Sequence, residues 1–150
     1  MLFRSVEKRD SLQIEALRGT ERILFVDDED LITEMSTELL ASLGYTVTST
    51  TDSMEALRLF KENTKAFDLL ITDQTMPNMT GLDLAREVLK IEPDFPIILC
   101  TGYRAKVSEK KVIDSGIKSI CHKPVSNREL ALKIREVLRR ESSSPKGMVT

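Results

Sequence analysis

The chain has 150 residues, with 22 Lys and Arg against 24 Asp and Glu and 41% hydrophobic residues. That length suits one domain with a proper core and is short for two. No apolar run approaches the roughly 20 residues of a membrane span, the N-terminus lacks the hydrophobic stretch of a signal peptide, and the scattered charges leave no nucleic-acid footprint.

Residues 1–20 carry scattered apolar positions among charges and are expected to be a leader or linker, with Gly19 at the boundary. The continuous apolar run Ile23-Leu24-Phe25-Val26 predicts a strand covered on both faces. Asp27-Asp28-Glu29-Asp30 follows, then a helical spacing through Ile32, Met35, Leu39, Leu40 and Leu43 that Gly44 closes. Tyr45 to Thr50 is rich in β-branched residues and reads as the second strand. Asp52 and Glu55 form a capping box ahead of a helix that buries Met54, Leu57, Leu59 and Phe60.

Phe67 to Thr72 is the third expected strand, and it delivers Asp73 into a loop punctuated by Pro77 and Gly81. Thr80 and Asp83 open a helix with Leu84, Val88 and Ile91 apolar, and Pro93 and Pro96 stop it. Ile97 to Cys100 forms the fourth strand and delivers Thr101. A weaker helix covers about residues 105–115, ending at Gly116, and Ile117 to Cys121 is the fifth strand, leading to Lys123-Pro124. Ser126 and Glu129 cap an amphipathic last helix with Leu130, Ile134, Val137 and Leu138 on its apolar face. Residues 141–150 have nothing to bury and read as a flexible tail, leaving 21–140 as the domain.

Five strands alternating with five helices imply an α/β fold with a parallel sheet covered on both faces. In such sheets the site lies outside the carboxyl ends of the strands. Asp27, Asp28, Asp73, Thr101 and Lys123 all fall at such ends. Two carboxylates about 4 Å apart repel by about 4 kcal/mol at an effective dielectric near 20, so the acid cluster invites a divalent cation. An all-oxygen site with room for waters suits Mg²⁺. Asp73 is then the candidate nucleophile, since a carboxylate can accept a phosphoryl group as a mixed anhydride. Lys123 would neutralise one phosphoryl oxygen and the Thr101 hydroxyl would donate to another. Merely capping the first helix would not require two acids at 27 and 28.

Val26-Asp27-Asp28, the run Asp73-Gln74-Thr75-Met76-Pro77-Asn78-Met79-Thr80-Gly81, Thr101-Gly102 and Lys123-Pro124 together resemble the receiver domain of two-component response regulators. The resemblance covers about residues 21–140 and implies a flavodoxin-like, doubly wound five-stranded sheet in the order 2-1-3-4-5. It implies that Asp73 takes phosphate, with Mg²⁺, from a phosphohistidine on a sensor histidine kinase or histidine phosphotransfer protein and then loses it slowly. Such a domain catalyses its own phosphorylation and dephosphorylation without being an ordinary enzyme. By the same correspondence Asp28, Asp73 and the carbonyl of Thr75 would ligate Mg²⁺, Asp27 would act through water, and the amides of Thr75 and Gly102 would meet the phosphoryl oxygens. Thr75 and Tyr103 would flank the path of hydrolytic water, where the ring of Tyr103 can cover the approach.

One position departs from the family. Ile120 stands where members that signal through the fourth helix and fifth strand carry an aromatic ring, and an isoleucine has no ring to swing inward when Thr101 moves. The Thr101-Gly102-Tyr103 run and the lead-in Gly19-Thr20-Glu21-Arg22-Ile23-Leu24 look more like receivers attached to hybrid sensor kinases. With no kinase core or DNA-binding output domain in the sequence, a stand-alone receiver or a piece of a larger protein is expected, and a homodimer is compatible with either.

His122 reads as an ordinary residue for want of a ligand cluster. Cys100 and Cys121 are expected on adjacent strands as buried core filler, which fits a cytoplasmic, reduced chain. Arg128, Arg135, Arg139 and Arg140 read as a solvated face. Two other classes compete: a phosphorylation-independent interaction module on this fold, which Asp73, Thr101 and Lys123 argue against, and an aspartyl phosphatase, whose Asp-x-Asp-x-Thr or Val pattern fails at Ile32.

Overall fold

Short, continuous apolar runs become the strands at the centre of the molecule. In the computed structural model, which describes residues 15–102 and 107–142, β1 spans Arg22–Val26, β2 Thr46–Thr50, β3 Leu69–Asp73, β4 Ile97–Thr101 and β5 Ser119–His122. All neighbouring strands pair in parallel, in the order β2-β1-β3-β4-β5. β3 and β4 are buried at every position, as strands covered on both faces must be. The edge strand β2 is partly open along its length.

Five helices flank the sheet among the described residues: α1 Asp30–Ser42, α2 Ser53–Glu62, α3 Gly81–Ile91, α4 Glu109–Asp114 and α5 Asn127–Ser142. Strand side chains alternate between two apolar layers. Phe25 and Ile71 meet Leu40 of α1 and Leu130 and Ile134 of α5 on one face. Leu24, Leu70 and Leu99 meet Phe60 of α2, Leu84 and Val88 of α3 and Val112 of α4 on the other. Within this second layer the rings of Phe60 and Phe95 pack edge to face at 5.0 Å.

Local chemistry fixes most helix starts. Asp52 accepts the Met54 N–H at 2.9 Å, Thr80 that of Asp83 at 3.2 Å, and Ser126 that of Glu129 at 3.1 Å. The expected capping box at Asp52 is only half made. Glu55 turns to Arg58 instead, and Thr50 Oγ1 takes the Asp52 N–H at 3.2 Å.

Several expectations shift. β3 and β5 sit one or two residues later than the apolar runs alone suggest, so Asp73 and His122 belong to the strands themselves. Within the described residues α4 begins only at Glu109, where Ser108 caps it. Met35 and Met54, expected in the core, are exposed, because Leu40 on α1, Leu43 at its C-cap, and Leu57 and Phe60 on α2 already fill the inward face. Arg135 is not on a solvated face: its Nη1 donates to Glu21 at 2.8 Å and to the Tyr45 hydroxyl at 3.2 Å. Arg128 and Arg139 are exposed as expected. Among the described residues the lead-in packs on the domain: Leu17 is buried in the same layer as α1 and α5 side chains, and the Gly19 N–H donates to the Leu43 carbonyl at 3.1 Å. None of the described helices is long and apolar enough to cross a membrane.

Candidate functional site

Parallel pairing brings the carboxyl ends of β1, β3, β4 and β5 to one edge. Val26 is level with Thr72, Asp73 with Cys100 and Thr101 with His122, so the residues that end or follow these strands face one cleft. Asp27, Asp73 and Lys123 meet there. Lys123 Nζ lies 2.8 Å from Asp27 Oδ2 and 3.0 Å from Asp73 Oδ1. Carboxylate oxygens of Asp27, Asp28 and Asp73 all lie within 4.8 Å of one another, Asp28 being the exposed member. The Lys123-Pro124 peptide is cis.

Neither Asp27 nor Asp28 caps α1; its N-cap is Glu29, without a side-chain bond. Asp27 is 2% exposed and is held from both ends. Its Oδ1 accepts the Glu29 N–H at 3.0 Å, and its backbone carbonyl accepts the Thr33 hydroxyl at 2.9 Å. Asp73 is 6% exposed. The loop behind it is fixed by Gln74, whose Oε1 accepts the Leu82 N–H at 2.8 Å while its backbone carbonyl accepts the Gly81 N–H at 3.0 Å. This close approach requires a glycine at 81, where a Cβ would fall 2.2 Å from the Asp73 carbonyl oxygen. Thr101 and Lys123 are joined by the Lys123 N–H, which donates to the Thr101 carbonyl at 2.8 Å.

Burial, and next the charge of Asp27, push the Asp73 carboxyl up to about 6 even though Lys123 pulls it down. Burial would lower Lys123, but its hydrogen bonds to Asp27 and Asp73 outweigh that and hold the ammonium above its ordinary range. The cleft therefore carries one firm positive charge against three crowded acids. That donor set, all hard oxygen and short of positive charge, fits a divalent cation of the Mg²⁺ type.

Of the expected site residues, Asp27, Asp28, Asp73 and Lys123 come together directly. Thr101 ends β4 and is buried, Thr75 is exposed on the loop after Asp73, and Tyr103 lies outside the described residues. Ile120 is partly buried against the α2–α3 layer. Sequence reasoning did not single out Gln74, or Gly81 as a contact of the acid's own backbone, and it read His122 as ordinary. Its Nδ1 is 3.4 Å from Thr101 Oγ1 and its Nε2 2.7 Å from Glu109 Oε1. Only its place directly before Lys123 could have signalled this. Cys100 and Cys121 pair across β4 and β5 as expected, both buried as free thiols.

Residues 23–135 match the response regulator receiver domain family. The chain is 31% identical over 125 residues to the sensor kinase CckA of Brucella abortus, covering 83% of this chain and 13% of that one. It is 35% identical over 122 residues to the response regulator MprA of Mycobacterium sp. (strain KMS), covering 81% of this chain and 52% of MprA. Both relatives are thus much longer than the shared region. Among solved structures, a response regulator receiver domain protein from Clostridium thermocellum superposes with a TM-score of 0.77 at 33% identity, over 81% of this chain and 97% of that one. A second, from Methanospirillum hungatei, gives 0.72 at 30% identity, over 84% of this chain and all of its own. The chain belongs to the receiver-domain family of two-component response regulators.

Proposed function

We propose that Asp73 is the phosphoacceptor of a two-component phosphorelay and receives its phosphoryl group from a phosphohistidine. The observation that carries this is the position of Lys123 Nζ, 3.0 Å from Asp73 Oδ1 and 2.8 Å from Asp27. A buried carboxylate beside a fixed ammonium and two further acids is poorly suited to a structural ion pair, because the acids outnumber the cation. It is well suited to receiving a group whose oxygens need neutralising.

In the transfer, an Asp73 oxygen forms a bond to phosphorus as the phosphorus–nitrogen bond of the phosphohistidine breaks. The electron pair leaves on the imidazole nitrogen, which takes up a proton. Asp73 must react as the anion, and with its carboxyl at about 6 it is mostly ionised at pH 7. Lys123 neutralises one phosphoryl oxygen and the Thr101 hydroxyl donates to another. Mg²⁺ held by Asp28, Asp73 and the Thr75 carbonyl, with Asp27 acting through water, would supply the remaining positive charge. Slow hydrolysis returns Asp73 to its free form.

The donor would be a cytoplasmic sensor kinase or a histidine phosphotransfer protein. Leu31 and Met35, one turn apart on α1, are 66% and 58% exposed and offer an apolar surface for it. Ile32 and Ser36 of the same helix line a cavity of about 370 Å³ that reaches Asp27 and Lys123. Incubation with acetyl phosphate and Mg²⁺, followed by intact mass, should add one phosphate to the wild type and none to Asp73→Asn. A full shift in that variant would remove Asp73 from this role.

A further inference from the structure

Thr101 has a neighbour that catalysis at Asp73 does not require. Its Oγ1 stands 3.4 Å from Nδ1 of His122, and the other ring nitrogen, Nε2, stands 2.7 Å from Oε1 of Glu109, the first residue of α4. One imidazole thus touches the end of β4 and the start of α4 from its own place at the end of β5.

When the imidazole is neutral, the hydrogen-bond inventory of these groups gives the link a direction. With the ring neutral, one tautomer satisfies both contacts: the Thr101 hydroxyl donates to Nδ1 and Nε2–H donates to the Glu109 carboxylate. Thr101 has a single hydroxyl proton. Once it donates to a phosphoryl oxygen, Nδ1 has lost its donor, and the ring is held at Nε2 alone. That remaining contact is open to solvent, with the side chains of His122 and Glu109 63% and 65% exposed, so it holds the ring weakly.

We propose that His122 is a positioning residue that couples the state of Thr101 to α4, an inference that rests on the phosphoacceptor reading of Asp73. In the unphosphorylated chain the ring ties Thr101 to Glu109. Phosphorylation draws the Thr101 hydroxyl away, and the freed imidazole shifts against Glu109 and the first turn of α4. Ile120, two residues earlier and apolar, can make no such bond. Because coupling is reciprocal, His122 also holds the hydroxyl back from Asp73 before phosphorylation.

His122 is the only histidine of the chain, so its ring nitrogens can be followed without ambiguity. The full chain, labelled with ¹⁵N, is phosphorylated with acetyl phosphate and Mg²⁺, and intact mass gives the phosphate stoichiometry. The Nδ1 resonance should move on phosphorylation, together with the backbone amides of Lys110 to Asp114. His122→Gln, which reaches towards Glu109 but not Thr101, and His122→Ala should both accept phosphate a few-fold faster while their α4 amides lose at least half of the response. His122→Asn, which can accept from Thr101 but falls short of Glu109, should restore the slower phosphorylation without restoring the α4 response. A role confined to stability would lower the unfolding midpoint and leave the α4 response in place. Stoichiometric phosphate with an unmoved Nδ1, or an undiminished α4 response in His122→Ala, overturns the coupling alone. Failure of Asp73 to take phosphate at all overturns the phosphoacceptor reading and the coupling with it.

Discussion

A Cβ placed on Gly81 would stand 2.2 Å from the carbonyl oxygen of Asp73. The first residue of α3 therefore presses on the backbone of the acid at the centre of the site, and the loop between them closes through the Gly81 N–H to the Gln74 carbonyl at 3.0 Å. Gly81→Ala cannot be accommodated by a side-chain rotation, since the obstacle is backbone. It should cost about 1–3 kcal/mol, the usual range for overpacking, and slow phosphorylation of Asp73 by displacing its carboxylate. Urea unfolding and the rate of phosphate uptake read the two effects; a neutral alanine would mean that α3 can slide.

The raised Asp73 carboxyl has a consequence for stability. The folded chain holds this proton up to about pH 6, whereas an unfolded aspartate releases it near pH 4. The folded state therefore binds the proton more tightly, and the stability this brings is present below about pH 4 and lost as pH rises through about 6. At pH 8 without divalent cations, Asp73→Asn should be more stable than the wild type by up to about 3 kcal/mol. The gap should close towards pH 4, and Mg²⁺ should narrow it at pH 8 by stabilising the wild type more. Chemical melts at the two pH values check this, and a difference independent of pH would contradict it.

Asp27 and Asp28 should separate in function. Asp27 is buried and already engaged by Lys123 and the Glu29 N–H, whereas Asp28 is exposed beside the same cleft. Asp28→Ala should weaken Mg²⁺ binding more than Asp27→Ala, because it deletes a ligand that no other group among the described residues engages. Asp27→Ala should instead destabilise the fold by about 1–3 kcal/mol, since it removes one of the two carboxylates on Lys123 and the acceptor of the Glu29 N–H. Mg²⁺ titration beside unfolding of each variant tests both halves, and equal Mg²⁺ losses would sink the distinction.

Arg135 ties the lead-in to α5. Its side chain is 17% exposed and its Nη1 bonds Glu21 and Tyr45, so Arg135→Ala should cost about 1–3 kcal/mol. Arg86, in an exposed pair with Asp83 at 3.9 Å, should cost no more than about 0.5 kcal/mol when replaced by alanine. Thermal unfolding of the two variants under one buffer gives the comparison directly.

The sequence by itself determined the alternation of elements and the edge on which the site lies. Runs such as Ile23–Val26 and Ile97–Cys100 are too short for helices and too apolar for surface strands, and parallel strands deliver their last residues to one edge. The acids, Thr101 and Lys123 were legible for that reason, because their position depends only on where an apolar run stops. Met35 and Met54 misled, since periodicity marks a helix stripe but not which of its members the neighbouring layers leave room for. What only the tertiary structure decided are contacts between residues far apart in the chain. Arg135 reaches Glu21 and Tyr45, Gly81 abuts the Asp73 carbonyl, and His122 spans from Thr101 to Glu109. No local pattern encodes them, because each arises from how the helices lie across the sheet and from the side-chain reach that this packing leaves.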